Sequence, residues 1–153
     1  MSGFFGCISR RECVSDVFYG TDYHSHLGTK RAGMAFYDGT KFVRSIHSLE
    51  NGYFRNKFED ELPRFGESKM GVGVISDNES QPIAITSHLG RYSVVTVARI
   101  DNMKELTERL LQQRMHFAEL SSSDINATEL VAMLIGMGNS IKEGIEYAQS
   151  QIK

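Results

Sequence analysis

The sequence is poor in cysteine, carries no excess of positive charge and has no long hydrophobic run. Its two cysteines, Cys7 and Cys13, do not form a C-x-x-C pair, which favours free thiols over a disulfide framework or a zinc site. The net charge of −2 offers no basic field to a phosphate backbone and disfavours nucleic-acid binding. Without a membrane-length apolar run or a signal peptide, we expect a cytoplasmic protein with no membrane partner.

The histidines do not form a metal-binding pattern. The closest pair, His24 and His26, is two residues apart, so the side chains point to opposite sides of a strand and do not face each other on a helix. We therefore expect no metal site and no cofactor.

The order of the secondary-structure signals predicts an α+β fold in a single domain of 153 residues. Strand patterns occupy the first two-thirds of the chain, and an Asp38–Gly39 turn marks a hairpin over residues 32–49. Strands are also predicted over residues 3–9 (a buried strand) and 69–76. Two more are predicted in residues 81–100, around a turn at Leu89–Gly90.

Helical patterns are concentrated in the last third. An earlier helix is expected from an N-cap at Ser15 to a C-cap at Gly28, and a short helix is expected to be interrupted near Pro63. Asn126, followed three residues later by Glu129, fits a capping box. The chain ends on an amphipathic helix without a closing strand, which suggests the N-terminal part of a larger fold, incomplete at its C-terminus.

Ser2 is a candidate nucleophile if Met1 is removed. An α-amine has a reference pKa of about 7.7–8.0, so an N-terminal serine can use its own amine as the base. Most serines that follow an initiator methionine lie in disordered ends. Ser2 differs from these because a predicted buried strand begins directly after it.

Several motifs then resemble those of class II glutamine amidotransferases, most closely the amidophosphoribosyltransferases. The start MSGFFGCIS resembles the family's M-C-G-I-x-G-I, and HLGTKRAG resembles H-R-G-x-D-x-x-G, with His26, Gly28 and Gly33 in place. MGVGVIS resembles M-G-I-G-H-x-R, and NATEL resembles S-D-S/T-E-L. The stretch from Gln81 to Leu106 resembles the family's A-Q-P-F and H-N-G-x-L-x-N-x-x-E-L, with matches at Gln81, Pro82, Asn102, Glu105 and Leu106.

This resemblance covers essentially residues 1–153 and implies an N-terminal-nucleophile fold, an αββα sandwich of stacked antiparallel sheets. The family's first domain hydrolyses glutamine, and its second domain, a phosphoribosyltransferase, uses the ammonia in purine synthesis. The implied partners are therefore glutamine or a related small molecule, and a downstream phosphoribosyltransferase domain or a second copy of the chain.

The polar positions of the family's site are replaced in this sequence. The family's nucleophilic cysteine corresponds to Ser2, and the arginine that grips the substrate carboxylate corresponds to Ser76. The oxyanion-hole Asn-Gly corresponds to Val97 and Ala98, and the aspartate that binds the substrate amine corresponds to Ala127. Losing one oxyanion-hole donor costs about 10²–10³ in rate. The sequence therefore predicts that the strands and helices of the family's fold are retained around an inactive glutaminase site.

Other side chains of the sequence compensate only weakly for these replaced polar residues. Alternation along the first strand turns Cys7 away from the face of Ser2, so Cys7 is interpreted as a packing residue. Arg99 shares the predicted strand face of Val97, and Arg99 and Arg91 are candidate anion contacts. Lys30 or Arg31 in HLGTKRAG offers a further, weaker anion contact.

Three hypotheses follow. The first is a non-catalytic amidotransferase-like domain with a structural or regulatory role. The second is an active N-terminal-serine amidohydrolase acting on glutamine or a less charged amide. The third is a small-molecule binding domain anchored by Arg99 or Arg91.

Overall fold

The computed structural model describes residues 2–27, 30–77, 79–121 and 124–153. Its largest sheet contains β1 (Gly3–Ile8), β2 (Arg31–Tyr37), β3 (Phe42–Ser48) and β4 (Met70–Ser76). All three pairings are antiparallel, in the spatial order β1-β4-β2-β3. The predicted hairpin is confirmed as β2–β3, with Gly39 of its turn at φ +99°.

Smaller elements complete the chain. β5 (Ile83–Ser87) and β6 (Gly90–Val94) form a second antiparallel hairpin, and β7 (Leu120–Ser121) pairs with β8 (Asp124–Ile125). The α-helices are α1 (Val14–Asp22), α2 (Phe54–Phe58), α3 (Met103–Gln112), α4 (Ala127–Ile135) and α5 (Ile141–Gln151). Turns of 3₁₀ helix span Ser25–Leu27 and Glu59–Phe65. The mixed α/β class with antiparallel sheets is thus confirmed.

Two hydrophobic cores flank the sheets. In the first, α1, α2 and the Glu59–Phe65 turn pack on one face of the four-stranded sheet, around Phe18, Phe36, Phe54, Phe58 and Phe65. In the second, α3, α4 and α5 pack together, with Tyr92 and Val94 of β6 against them. The face of the large sheet that carries Gly33 is turned away from the first core, because its neighbours Ala32 and Met34 are buried in that core.

The segment before β5 lies on that second face. The Gln81–Pro82 peptide bond is cis, and a β-carbon on Gly33 would overlap the Gln81 carbonyl oxygen. Arg44 Nη1 of β3 donates to the Pro82 carbonyl oxygen at 3.1 Å. The candidate site lies next to this contact.

Several local predictions need correction. Helix α1 ends at Asp22, and Cys13 holds its N-cap position without a side-chain hydrogen bond, while Ser15 lies inside the helix. The Glu12 carboxylate accepts the Val14 N–H instead. The predicted C-cap, Gly28, lies outside the described residues. Strand β1 is not fully buried, because Phe4 and Ile8 are 54% and 80% exposed.

The other end of the chain shows further differences. Strand β6 ends at Val94, and residues 95–100 are not part of a strand. Asn126 does cap α4, accepting the Thr128 and Glu129 N–H groups, but Glu129 does not complete a capping box. Its carboxylate accepts the N–H groups of Ala118 and Glu119, at 2.9 Å each. The interruption near Pro63 is confirmed, since α2 gives way to the 3₁₀ turn that contains it. None of the helices in the described residues is long and apolar enough to cross a membrane.

Candidate functional site

Ser2, Ser76 and Arg31 fall in one row across three neighbouring strands. Arg31 of β2 pairs directly with Ser76 of β4, and Gly3 of β1 pairs with Ile75. Continuing that register by one residue places the partly buried Ser2 opposite Ser76. Directly opposite residues project to the same face, so all three side chains belong to the face that carries Gly33.

Ser76 is buried and its hydroxyl is used within the protein. It is 3% exposed, and its Oγ accepts the backbone N–H of Glu79 at 3.0 Å. A short neutral side chain in this place turns the chain after β4 and leaves Arg31 as the cation of the row. This position therefore contributes no charge to a ligand.

Glu79 lies at the N-terminus of α4. Its Oε1 accepts the Ala127 N–H at 3.2 Å, and its Oε2 accepts the Thr128 hydroxyl at 3.0 Å. The N-terminus of a helix favours an anion, because its first N–H groups lack intrahelical partners. Ala127 itself has no functional side chain, but its backbone N–H holds this carboxylate.

A buried polar network adjoins Glu79. Gln81 Oε1 accepts from Thr96 N at 2.8 Å, and Gln81 Nε2 donates to Thr96 O at 3.0 Å. Gln81 Oε1 also lies 3.1 Å from the Thr128 hydroxyl oxygen, whose single proton it shares with Glu79. The hydroxyls of Thr96 and Thr128 are 2.5 Å apart. This network fixes the backbone just before Val97 and Ala98, which are themselves exposed.

Arg31 reaches the same loop from the opposite side. Its Nη1 donates to Ser80 Oγ at 2.8 Å, and Asn126 Nδ2 donates to the Ser80 carbonyl oxygen at 2.8 Å. In the described part of the chain, no Asp or Glu oxygen lies within 4 Å of the Arg31 guanidinium. Among the residues that the structure describes, the guanidinium is thus held by a neutral hydroxyl and forms no ion pair.

Arg91 and Arg99 are not part of this row. Arg99 is an exposed side chain that pairs with Asp101 at 2.7 Å. Arg91 borders a cleft of about 440 Å³ whose other walls include Gly6, Ile8 and Met70, at the far end of β1. Six residues of strand separate that end from Ser2, which corresponds to about 20 Å.

The cysteines belong to the first core. Cys13 is buried, Cys7 packs against it, and both are free thiols. Burial, with the neighbouring Cys7, raises the pKa of the Cys13 thiol to about 11. This agrees with the interpretation of Cys7 as a packing residue and makes Cys13 a poor nucleophile. Among the described residues, no group of three or more His, Cys, Asp or Glu side chains could hold a metal ion.

Sequence reasoning missed Glu79 and did not connect Arg31 with Ser76. Glu79 stands two residues before the matched Gln81–Pro82, and only the folded chain places it against Ala127, 48 residues later. The sequence indicates Arg31 only as a weak anion contact in HLGTKRAG, whereas the structure makes it the first residue of β2. The sequence offered a signal for Glu79, an acidic residue three positions after Ser76, but none that connected Arg31 with this site.

The fold formed by this chain is similar to part of two solved enzyme structures. The chain matches glutamine phosphoribosylpyrophosphate amidotransferase from B. subtilis, solved with ADP and GMP, over 100% of its length, with a TM-score of 0.81 and 22% identity. It also matches a structure described as the allosteric regulatory enzyme of purine biosynthesis, over its full length, with a TM-score of 0.83 and 22% identity.

These likenesses confirm the resemblance drawn from the motifs at the level of the fold. The chain covers 33% of each of the two matched chains, about a third of their length. No protein-family model matches the chain, and no curated protein matches its sequence.

Proposed function

We propose that this chain is the glutamine amidotransferase-like part of an amidophosphoribosyltransferase-type protein, with a site that does not hydrolyse glutamine and a structural or regulatory role. The observation that carries the proposal is the whole-chain fold match. The motif resemblance supports it by assigning Ser76, Val97, Ala98 and Ala127 to the family's polar positions. The two cores flanking the sheets agree with an N-terminal-nucleophile αββα sandwich.

Chemistry at Ser2 lacks the support that a hydroxyl nucleophile needs. A serine requires a base and a donor for the developing oxyanion. Val97 has no side-chain donor, and the nearby polar groups of Thr96 are hydrogen-bonded to Gln81. The proposal includes a partner, which is either a phosphoribosyltransferase domain beyond this chain or a second copy of this chain. It also includes a cytoplasmic location.

The test is ammonia release from L-glutamine, together with intact mass after incubation with an electrophilic glutamine analogue. We expect no ammonia above the level of Ser2→Ala and no adduct on Ser2. Ser2→Cys is the matched control, because it restores the better nucleophile without restoring the oxyanion donor, and it should also release none. A single adduct on Ser2 with Ser2-dependent ammonia release would contradict the proposal.

The second candidate is an active N-terminal-serine amidohydrolase. The observation in its favour is the row that places Ser2, next to the first residue of β1, opposite Ser76 of β4, with Arg31 on the far side of Ser76 in β2. In this case Ser2 attacks the amide of glutamine or a related amide, and its own α-amine accepts the proton. Turnover of a panel of small amides that disappears in Ser2→Ala would establish it, and turnover that persists would exclude it.

A further inference from the structure

We propose that the cleft bordered by Arg91, between the large sheet and β6, is a separate binding site for a monocarboxylate with an apolar body. The Arg91 guanidinium holds the carboxylate, and the apolar body lies on the sheet. This cleft is at the opposite end of β1 from Ser2, so the inference goes beyond the proposed function and does not depend on it.

A row of small side chains forms the floor of the cleft. Gly6 of β1 pairs with Val72 of β4, and Val72 pairs with Ala35 of β2. Directly opposite residues project to the same face, and this row belongs to the face turned away from the first core, because the alternate residues of β2 fill that core. The next row on this face pairs Ile8 with Met70, and both of these larger side chains are exposed. The small row therefore leaves a depression beside an apolar rim.

The β5–β6 hairpin brings one cation to this depression. Tyr92 and Val94 of β6 pack against the helical core, so alternation along the strand turns Arg91 and Ser93 towards the large sheet. The Ser93 hydroxyl already donates to the Ile83 carbonyl oxygen at 3.2 Å. Across the described ranges, no Asp or Glu oxygen lies within 4 Å of the Arg91 guanidinium. The cleft therefore offers a ligand one positive charge that forms no ion pair within the described chain.

The lining of the cleft indicates the class of ligand. Its volume of about 440 Å³ lies within the range of small-molecule sites, about 300–1,000 Å³, which are mostly apolar with a few polar groups. Among the described lining residues, Arg91 is the one charged side chain. A neighbouring cleft of about 450 Å³ shares Phe42, Met70 and Arg91 with the first. Arg91 thus stands where the two clefts join, and a carboxylate there can pair with the planar guanidinium while it stays in contact with water.

The test is a titration of the isotope-labelled chain, followed by its amide chemical shifts in NMR spectra. Octanoate carries both the charge and an apolar body, 1-octanol carries the body without the charge, and acetate carries the charge without the body. We expect octanoate to give saturable shifts at Gly6, Val72 and Arg91. Binding of 1-octanol should be about fivefold weaker, as expected for losing an exposed charge pair, and acetate should not saturate.

Two substitutions test the two parts of the site. Arg91→Gln should weaken octanoate about fivefold and leave 1-octanol unchanged, and Arg91→Lys, which keeps the charge, should bind octanoate better than Arg91→Gln. Gly6→Val should weaken both probes at least about tenfold, because its methyl groups occupy the floor of the cleft. A β-carbon on Gly6 comes no nearer than 3.9 Å to Gly71 O and the Val72 side chain, so the strand accommodates this variant.

Arg99→Gln is the matched control, because Arg99 is also exposed and is not part of the cleft lining, and it should bind octanoate as the unchanged protein does. Thermal unfolding verifies that each variant is folded, and Gly6→Ala, with a smaller expected loss, replaces Gly6→Val if the latter does not fold. Octanoate shifts confined to the cleft, with these losses, support the inference. Unsaturable octanoate binding, shifts centred elsewhere, or an Arg91→Gln variant that binds octanoate as Arg99→Gln does would overturn it. None of these outcomes bears on glutamine hydrolysis at Ser2.

Discussion

At the scale of single residues, the candidate site has charged side chains directly next to uncharged ones. Ser76 and Ala127 are uncharged, but Arg31 pairs with Ser76 across the sheet, and Glu79 accepts the Ala127 N–H. A substitution that removes a charged side chain is therefore not sufficient to show that the local charge is lost. The neighbours across the strand and at the helix terminus must be examined as well.

Glu61 provides a test of residue-scale electrostatics. Burial raises the pKa of its carboxyl, but hydrogen bonds from Ser45 and His47 and the charges of His47 and Arg64 outweigh it, so the pKa lies below its ordinary 4.5. A carboxyl with a lowered pKa stabilises the fold above its unfolded pKa, and the stabilisation is lost as the pH falls through the folded pKa. Glu61→Gln should therefore cost about 1 kcal/mol near pH 6, and the cost should shrink towards pH 3.

Urea denaturation at several pH values measures this effect. Glu67→Gln is the matched control, because Glu67 is exposed. Its effect on the free energy of unfolding should be small at every pH. A Glu61→Gln penalty that is independent of pH would mean that the carboxylate is not the source of the stability.

At the scale of elements, the N-terminal caps of α4 and α5 differ in the hydrogen bonds that they make. Asn126 is fully buried, accepts two N–H groups of α4 and donates to the Ser80 carbonyl, whereas Ser140 caps α5 at the surface with one bond from Glu143 N at 3.2 Å. The α4 cap therefore connects α4 to the loop that contains Ser80, whereas the α5 cap is described only by its hydrogen bond within α5.

Replacing each cap by alanine should give unequal losses. Asn126→Ala is expected to cost about 2 kcal/mol, at the upper end for caps, because it also leaves the Ser80 carbonyl without this donor. Ser140→Ala should cost about 0.5 kcal/mol. Chemical denaturation of both variants checks the difference, and equal losses would show that the contact with Ser80 contributes nothing.

At the scale of the whole molecule, one buried amide connects the parts around the site. Gln81 is 2% exposed and its side chain binds Thr96 of the segment after β6 and Thr128 of α4. The residue after it, Pro82, accepts from Arg44 of β3. The large sheet, the small hairpin and the helical layer are thus joined at this point.

Gln81→Ala should destabilise the whole fold by about 2–3 kcal/mol, because it leaves the Thr96 N–H and C=O without their partners. Gln112→Ala, at the exposed end of α3, is the matched control and should stay within about 0.5 kcal/mol. Urea denaturation followed by both far-UV and near-UV circular dichroism checks this prediction. A loss no greater than that of the control would show that the network does not join the layers.

Local signals in the sequence were sufficient for many elements. The Asp38–Gly39 pair predicted the β2–β3 hairpin because a glycine adopts the positive φ of such a turn without steric cost, and Asn126 predicted the start of α4 because its short side chain can bind the first N–H groups. The same signals failed where a residue distant in the sequence formed the hydrogen bonds expected within a local element. The β-branched run after β6 predicted a strand to Ile100, but the Thr96 backbone binds the Gln81 side chain instead of another strand.

The sequence alone determined the order of most strands and helices and the free cysteines, since these depend on neighbouring residues. The replacement of polar residues at Ser76, Val97, Ala98 and Ala127 stays a prediction from the motif pattern. Only the tertiary structure decided which charges meet at the site. Arg31 and Ser80 are 49 residues apart, and Glu79 and Ala127 are 48 apart. Strand register and layer packing bring such pairs together, and no local spacing in the chain records them.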